Sequence, residues 1–472
     1  MIQHYLPSGL ATPYLISEWA IRIVMLFFVP TRRTPQAAQA WLLLIFFLPI
    51  PGLILYAAIG RPRFPQWRTE RFHRLAPFFA GVARSIEDAG AATEPGATGG
   101  LAALAKRLGS LPATTGNGVE FLGDYDGAVD RLVADIDGAR RTVRILVYIF
   151  ADDDVGLRVI DALGRAASRG VACHVLIDAF GSHRWGRRVV ARLKDKGVEA
   201  RRALPFRLLH RRTRNDMRNH RKLFLIDGTI GYAGSQNIVD KAFRPGIVNR
   251  ELVARLTGPV VAEMDAVFVG DWYLETEEML EAAPVPAAAG EAVTQLLPSG
   301  ADYPLEGFET LLVWQVHRAE RRVIVTTPYL VPDEDVLSAM RTAVARGVQV
   351  DLIVSHVADQ KMVSLAQRSY FESLLSAGVS IYRFRKYLLH AKNVSIDGAL
   401  AIVGSSNVDL RSFQLNDEVS LLLYDRDSVR GVEATQEDYI AYSDRLTLEA
   451  WRARSRVQKL LESLARLVSP LL

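Results

Sequence analysis

The sequence predicts an α/β protein of two duplicated lobes, each a mixed or parallel sheet flanked by helices, preceded by an N-terminal transmembrane helical segment. Three observations predict it. From about residue 119 one order of apolar and helical stretches runs through the chain and then runs again; its apolar stretches are short and alternate with helical patterns; and two longer apolar stretches precede both copies.

The stretch AWLLLIFFLPIPGLILYAAIG, residues 40–60, is uncharged. Its length suits a hydrocarbon core of about 30 Å, so it is expected to span a membrane, kinked by Pro49, Pro51 and Gly52. The earlier stretch, 14–30, carries Glu18 and Arg22 four residues apart, a spacing that pairs them on one helix face. It is expected to span the bilayer or to lie in its interface. The leader MIQHYLPSGL has no basic residue and no cleavage site follows, which argues against a cleaved signal peptide. Arg61, Arg63, Arg68, Arg71 and Arg74 come next, and the positive-inside rule then puts the body of the protein on the cytoplasmic side. Residues 1–62 form this membrane segment, and 63–118, which include EDAGAATEPGATGG, read as a juxtamembrane region and linker.

The first lobe, 119–280, runs TVRILVYIF, GLRVIDALGRAASRG, VACHVLIDAFGS; the second, 294–472, runs RRVIVTTPYLVPDED, VLSAMRTAVARG, VQVDLIVSH. Both read as strand, helix, strand, the pattern of parallel strands covered by helices. The Ala-, Pro- and Gly-rich stretch 281–293 joins them. The last forty residues alternate apolar and basic positions, as an amphipathic helix does when it packs on the body or lies on a membrane.

A net charge of +5 favours anionic partners, either phospholipid headgroups or nucleic acid. About fifteen Arg and Lys residues lie between Arg184 and Lys222, which suggests contact with an anionic bilayer or headgroup, a solvated basic face being the alternative. The single cysteine, Cys173, excludes an internal disulfide and any multi-cysteine zinc site, and its apolar run places it in the core.

Each lobe contains the same segment, NHRKLFLIDGTIGYAGSQNI at 219–238 and LHAKNVSIDGALAIVGSSNV at 389–408. His220, Lys222, Asp227 and Asn237 match His390, Lys392, Asp397 and Asn407 at identical offsets. His and Lys two apart on a strand share a face, where Lys supplies a point charge for a phosphate, Asn supplies amide donors, and the imidazole attacks phosphorus or moves a proton. Two such faces surround one phosphodiester. A metal site is disfavoured because the lysines repel a cation and no cluster has ligand spacing. Asp227 and Asp397 belong to the motif and hence to the candidate catalytic set, although the IDG context suits a turn-shaping role. No G-x4-G-K-[ST] loop is present, and phosphodiester exchange needs no nucleotide cofactor.

These residues resemble the phospholipase D superfamily, whose signature is this duplicated motif on two α/β lobes. TTPYLVPDEDVL, VGSSNVDLRSFQLNDEVSLLLYD and the terminal ARLVSPLL extend the similarity to the bacterial cardiolipin synthases over nearly the whole chain. The resemblance implies transfer of a phosphatidyl group between phosphatidylglycerols through a phosphatidyl-histidine, with His220 as nucleophile and His390 as general acid and base. It implies an inner-membrane enzyme whose partners are phosphatidylglycerol and the anionic membrane, not nucleic acid. It also pairs Glu251 with His390 and Glu418 with His220, each acid orienting the histidine of the opposite lobe. Two positions depart from the family, which usually has an aromatic at Asp417 and often a Glu at Leu146. Hydrolysis at the same site, or transfer to another alcohol, remains the alternative activity.

Overall fold

Short apolar runs of both copies build strands of one continuous mixed sheet in the computed structural model, which describes residues 8–33, 35–60, 66–205 and 216–468. From the middle outwards the first copy contributes Thr114–Leu122, Val253–Thr257, Ile230–Gly234, Leu223–Ile226, Thr142–Val147, Ala172–Asp178 and Glu199–Ala203. The second contributes, in the same order, Ala292–Ser299, Asn416–Leu423, Leu400–Gly404, Asn393–Ile396, Arg322–Thr326, Gln349–Ser355 and Ser380–Phe384, with Ser443–Arg445 at the outer edge. The series meet where Thr114–Leu122 pairs antiparallel with Ala292–Ser299, Thr114 opposite Thr294. A pseudo-twofold axis therefore passes through the middle of the sheet.

Along this strand order, the parallel neighbours are the outer strands of each series, Thr142–Val147 with Ala172–Asp178 and Arg322–Thr326 with Gln349–Ser355 among them. There a helix carries the chain back across the sheet, as parallel neighbours require. These crossover helices, Asp154–Ser168 and Glu334–Ala345, open on matched aspartates: Asp153 accepts from Gly156 N and Asp333 from Val336 N, both at 3.0 Å. The strands bearing the repeated motif are antiparallel hairpins. Cys173 is buried in the core of the first copy.

The N-terminal stretch differs from its expectation. Residues 40–60 do not form one spanning helix: Pro35–Phe47 ends before Leu48, and Pro49–Ile59 starts anew. Pro49 suits the first turn of a helix but supplies no N–H to continue the preceding one. Helices of 13 and 11 residues extend only about 20 and 16 Å at 1.5 Å per residue. Among the described residues no helix is long and apolar enough to cross a membrane. The helix Ser8–Phe28 packs on this pair through Met25, with Val29 just past its end, and Arg22 donates to Phe46 O at 3.0 Å. Many apolar side chains remain outside, among them Ile16, Trp19, Phe27, Phe47 and Ile54. At the other end, the helix Arg456–Val468 packs on Lys361–Ala377.

Candidate active site

Each motif is a hairpin whose tip is tied down by its aspartate. Asp227 and Asp397 both have φ 55°, followed by Gly228 and Gly398 at φ 65° and 66°, a left-handed pair that makes a tight turn. The Asp227 carboxylate accepts from the backbone N–H groups of Arg140, Arg141 and Thr142, and that of Asp397 from Glu320, Arg321 and Arg322. A strand therefore separates each aspartate from its histidine. The candidate catalytic set is corrected on this point: Asp227 and Asp397 fasten the hairpin and do not join the other motif residues.

The glycines of the Gly-Ser-x-Asn tails have an equally local cause. A Cβ on Gly234 would meet the Leu252 carbonyl, and one on Gly404 the Val419 carbonyl, so only glycine lets the neighbouring strand approach. The following serines bond to the same strands, Ser235 Oγ to Leu252 and Ser405 Oγ to Val419.

Two short parallel pairs then exchange residues between the copies. Arg218 and Asn219 pair with Asn416 and Asp417, while Leu388 and Leu389 pair with Asn249 and Arg250. His220 N donates to Asp417 O and His390 N to Arg250 O, each at 2.8 Å. One residue farther along each register lies a glutamate. His220 Nδ1 is 3.0 Å from Glu418 Oε2, and His390 Nδ1 is 2.8 Å from Glu251 Oε1. Both glutamates are fully buried, so Nδ1 carries the proton toward a carboxylate and Nε2 is left with its lone pair. Glu418 also accepts from Ser405 Oγ at 2.5 Å and Ser412 Oγ at 3.0 Å.

Lys222 and Lys392 each donate from Nζ to the carbonyl of the preceding histidine. Asn237 Oδ1 accepts from Ile149 N at 3.0 Å, which leaves the amide nitrogen as the donor. Asn407 Oδ1 is buried and has no hydrogen-bond partner. Both asparagines and both histidines line one cavity of ≈ 1560 Å³. Its wall also includes two residues that sequence reasoning missed, Tyr148 and Tyr329, whose rings stand edge-on to His220 and His390 with centroids 4.8 and 6.4 Å away. The available signal was an aromatic within three residues of the ends of the matched strands Thr142–Val147 and Arg322–Thr326.

Burial governs the charges here. Desolvation lowers His220 and takes His390 down to about 4, outweighing the glutamates that pull the other way. It also brings Lys222 down to about 7, helped by the charge of Lys392, and takes Lys392 down to about 8 against the pull of Glu251 and Glu418. Burial pushes Glu251 and Glu418 upward, but the facing histidines and lysines hold both below the usual carboxylate value. These shifts favour neutral imidazoles beside ionised carboxylates and easily deprotonated amines. An anion between the lysines would raise these basic groups, since a nearby negative charge favours their protonated forms.

The basic stretch before the first motif divides. Arg187, Arg188 and Arg192 are exposed on the helix Gly186–Asp195; Arg211, Arg212 and Arg214 lie outside the described residues. Arg218 lies over the Phe180 ring at 4.0 Å and Arg411 donates to Asp216 O at 2.6 Å, both in the cavity wall. Arg221 is buried against Asp271 and donates from Nε to Glu418 O at 2.9 Å. Beside it Arg68 is buried among Glu275, Asp302 and Asp417, at 2.9, 2.7 and 3.0 Å. The unusual Asp417 thus has a partner from the helix Gln66–Arg74, and burial, against Arg68 and Arg221, still leaves it at about 7. Leu146 is a buried core residue. Among the described residues the one grouping of acids close enough to share a cation, Glu309, Asp333 and Asp335, contains no histidine.

Comparison with known proteins follows this geometry. The family described as cardiolipin synthase, PLD-like domain, matches residues 132–272 and 312–439, and the phospholipase D-nuclease N-terminal family matches 19–61. Cardiolipin synthase A of Pectobacterium carotovorum is 35% identical over 474 residues, covering 97% of this chain and 96% of that protein. Cardiolipin synthase A of Edwardsiella ictaluri is 34% identical with the same coverage. The crystal structure of a phosphatidylserine synthase from Haemophilus influenzae shares the fold, with a TM-score of 0.57 at 16% identity over 75% of this chain and 95% of that one.

Proposed function

The chain belongs to the cardiolipin synthase family of phospholipase D-like proteins, and from that membership we propose that it joins two phosphatidylglycerols into cardiolipin and releases glycerol. The observation that carries the reading is the pair of crosswise His–Glu contacts facing one cavity. His220 Nε2 attacks the phosphorus of the first lipid, and the bond from phosphorus to the glycerol headgroup breaks. His390 gives the departing oxygen its proton. A hydroxyl of the second phosphatidylglycerol then loses its proton to His390 and attacks phosphorus, and His220 leaves. Each step breaks one bond to phosphorus and forms another, and over the cycle the number of phosphodiesters is unchanged, so no nucleotide enters. Lys222, Lys392, Asn237 and Asn407 hold the phosphoryl oxygens, and the phosphate's charge raises the depressed His390 toward the protonated form that its acid role needs. Glu251 and Glu418 fix the imidazoles and offset the positive charge that develops on them.

The lobes are residues 119–280 and 294–472, joined by 281–293. The exposed apolar residues of the N-terminal helices bind the membrane, and the arginines that follow keep the lobes on the cytoplasmic side of the bacterial inner membrane. Purified protein given phosphatidylglycerol alone is expected to yield cardiolipin and free glycerol in equal amounts. Phosphatidic acid as the main product would mean that water is the acceptor and would refute the transfer reading.

A further inference from the structure

The C-terminal helix Arg456–Val468 is built inside out. Its inward side carries Glu462, which is buried and paired with Arg368 Nε at 2.9 Å and Arg454 Nη1 at 2.5 Å. Its outward side carries Val457, Leu460, Leu461, Leu464 and Leu467, between 48% and 66% exposed. At 100° per residue these five fall within an arc of about 120°, one continuous apolar stripe. The other charges of the helix are Arg456, Lys459 and Arg466, all basic, since its one acid is turned inward.

Position gives the stripe a meaning. Ser463, Arg466 and Leu467 line the same cavity as His220 and His390, and so do Arg32, Trp41 and Leu43 from the N-terminal helices. Leu43 and Leu467 are themselves exposed, so the cavity reaches the surface between two apolar elements. We propose that the helix Arg456–Val468 lies in the surface of an anionic bilayer through this stripe and, with Pro35–Phe47, frames a lateral entrance by which lipid reaches the histidines. This rests on the lipid substrate proposed above. An anionic bilayer fits better than a second copy of the chain, because it matches both the leucines and the basic flanks, whereas stripe against stripe would bring arginines and lysine together. The headgroup of a lipid still anchored in the bilayer then enters between the two elements while its chains stay in apolar surroundings.

The test uses the full-length protein reconstituted into vesicles of phosphatidylglycerol and a neutral lipid. Cys173 is buried, so a cysteine introduced by Leu464→Cys takes an environment-sensitive fluorophore selectively; Asp427→Cys, at a side chain 92% exposed, is the reference. The label at 464 should shift to the blue and be quenched by spin-labelled lipid, while the label at 427 stays unquenched. No quenching at 464 overturns the proposal, and so does a blue shift without lipid quenching, which would mean that another protein surface covers the stripe. In parallel, Leu460→Ser with Leu464→Ser should slow turnover of vesicle phosphatidylglycerol at least about tenfold yet leave a short-chain soluble phosphatidylglycerol within about twofold of the parent, since only interfacial binding is removed. Equal loss on both substrates overturns the proposal. Failure of the functional reading is separate: it would appear as a parent that makes no cardiolipin, whereas lipid quenching is read without turnover.

Discussion

Replacing Glu418 by Gln keeps the size of the side chain and removes its charge. The magnitude follows from what Glu418 touches. It accepts from His220 Nδ1 at 3.0 Å in a fully buried setting, where a hydrogen bond to a charged group is worth about 1.5–3 kcal/mol, or roughly 10- to 150-fold in rate. A glutamine amide that turns its N–H toward Nδ1 does more, because it drives the imidazole proton onto Nε2 and occupies the attacking lone pair. The corresponding carboxylate-to-amide change in a serine protease triad costs about 10⁴ in kcat, which sets the upper bound. The assay is a rapid denaturing quench of enzyme mixed with acyl-labelled phosphatidylglycerol, scored for label bound to protein. Glu418→Gln should form adduct at least about tenfold more slowly than the parent, by the same estimate. Glu251→Gln should also be slow on phosphatidylglycerol but recover on a nitrophenyl phosphatidyl ester, whose leaving group needs no proton. If Glu251→Gln cannot form adduct even on that ester while Glu418→Gln can, His390 is the nucleophile and the assignment is reversed.

The pH profile should be bell-shaped in kcat/KM, which reports the free enzyme. Its acid limb should lie below the ordinary imidazole value, where His220 takes up a proton, and its alkaline side should decline from about 4 as His390 loses the proton its acid role needs and more steeply near 7 to 8 as Lys222 and Lys392 lose theirs; a profile that does not steepen between pH 7 and 9 would refute the lysine role. Asp227→Asn and Asp397→Asn should lower Tm by several degrees and leave kcat within about threefold, since each removes charge from bonds to three backbone N–H groups and none from the cavity. Arg68→Met should cost about 3–5 kcal/mol in stability, measured by denaturant unfolding in detergent, by stranding three buried carboxylates. Turnover of phosphatidylglycerol should persist in EDTA, and loss restored by a divalent ion would refute the chemistry drawn from the paired His and Lys residues.

The duplicated motif was legible because its cause is local: a hairpin, a two-residue alternation and a glycine at a close strand approach leave the same trace twice. What the hairpin does with its aspartate was harder to read, since a carboxylate beside a catalytic lysine and one that ties three backbone N–H groups look alike in one dimension. Tyr148 and Tyr329 were missed because nothing in a strand end marks which face a later histidine will take. The N-terminal apolar stretch was misread in form: its hydropathy is continuous through 40–60, but Pro49 divides it into two helices. Arg68 and Asp417 lie 349 residues apart, and a buried ion pair at that separation carries no periodic signal.

The exchange of short strands between the copies has a consequence for synthesis. During translation His220 emerges about two hundred residues before Glu418, the acid that orients it. The half-made chain therefore holds an imidazole without its carboxylate and a cavity without its second wall. Chemistry begins only when the later strands of the sheet dock, so the growing polypeptide carries no complete site while it is still being made.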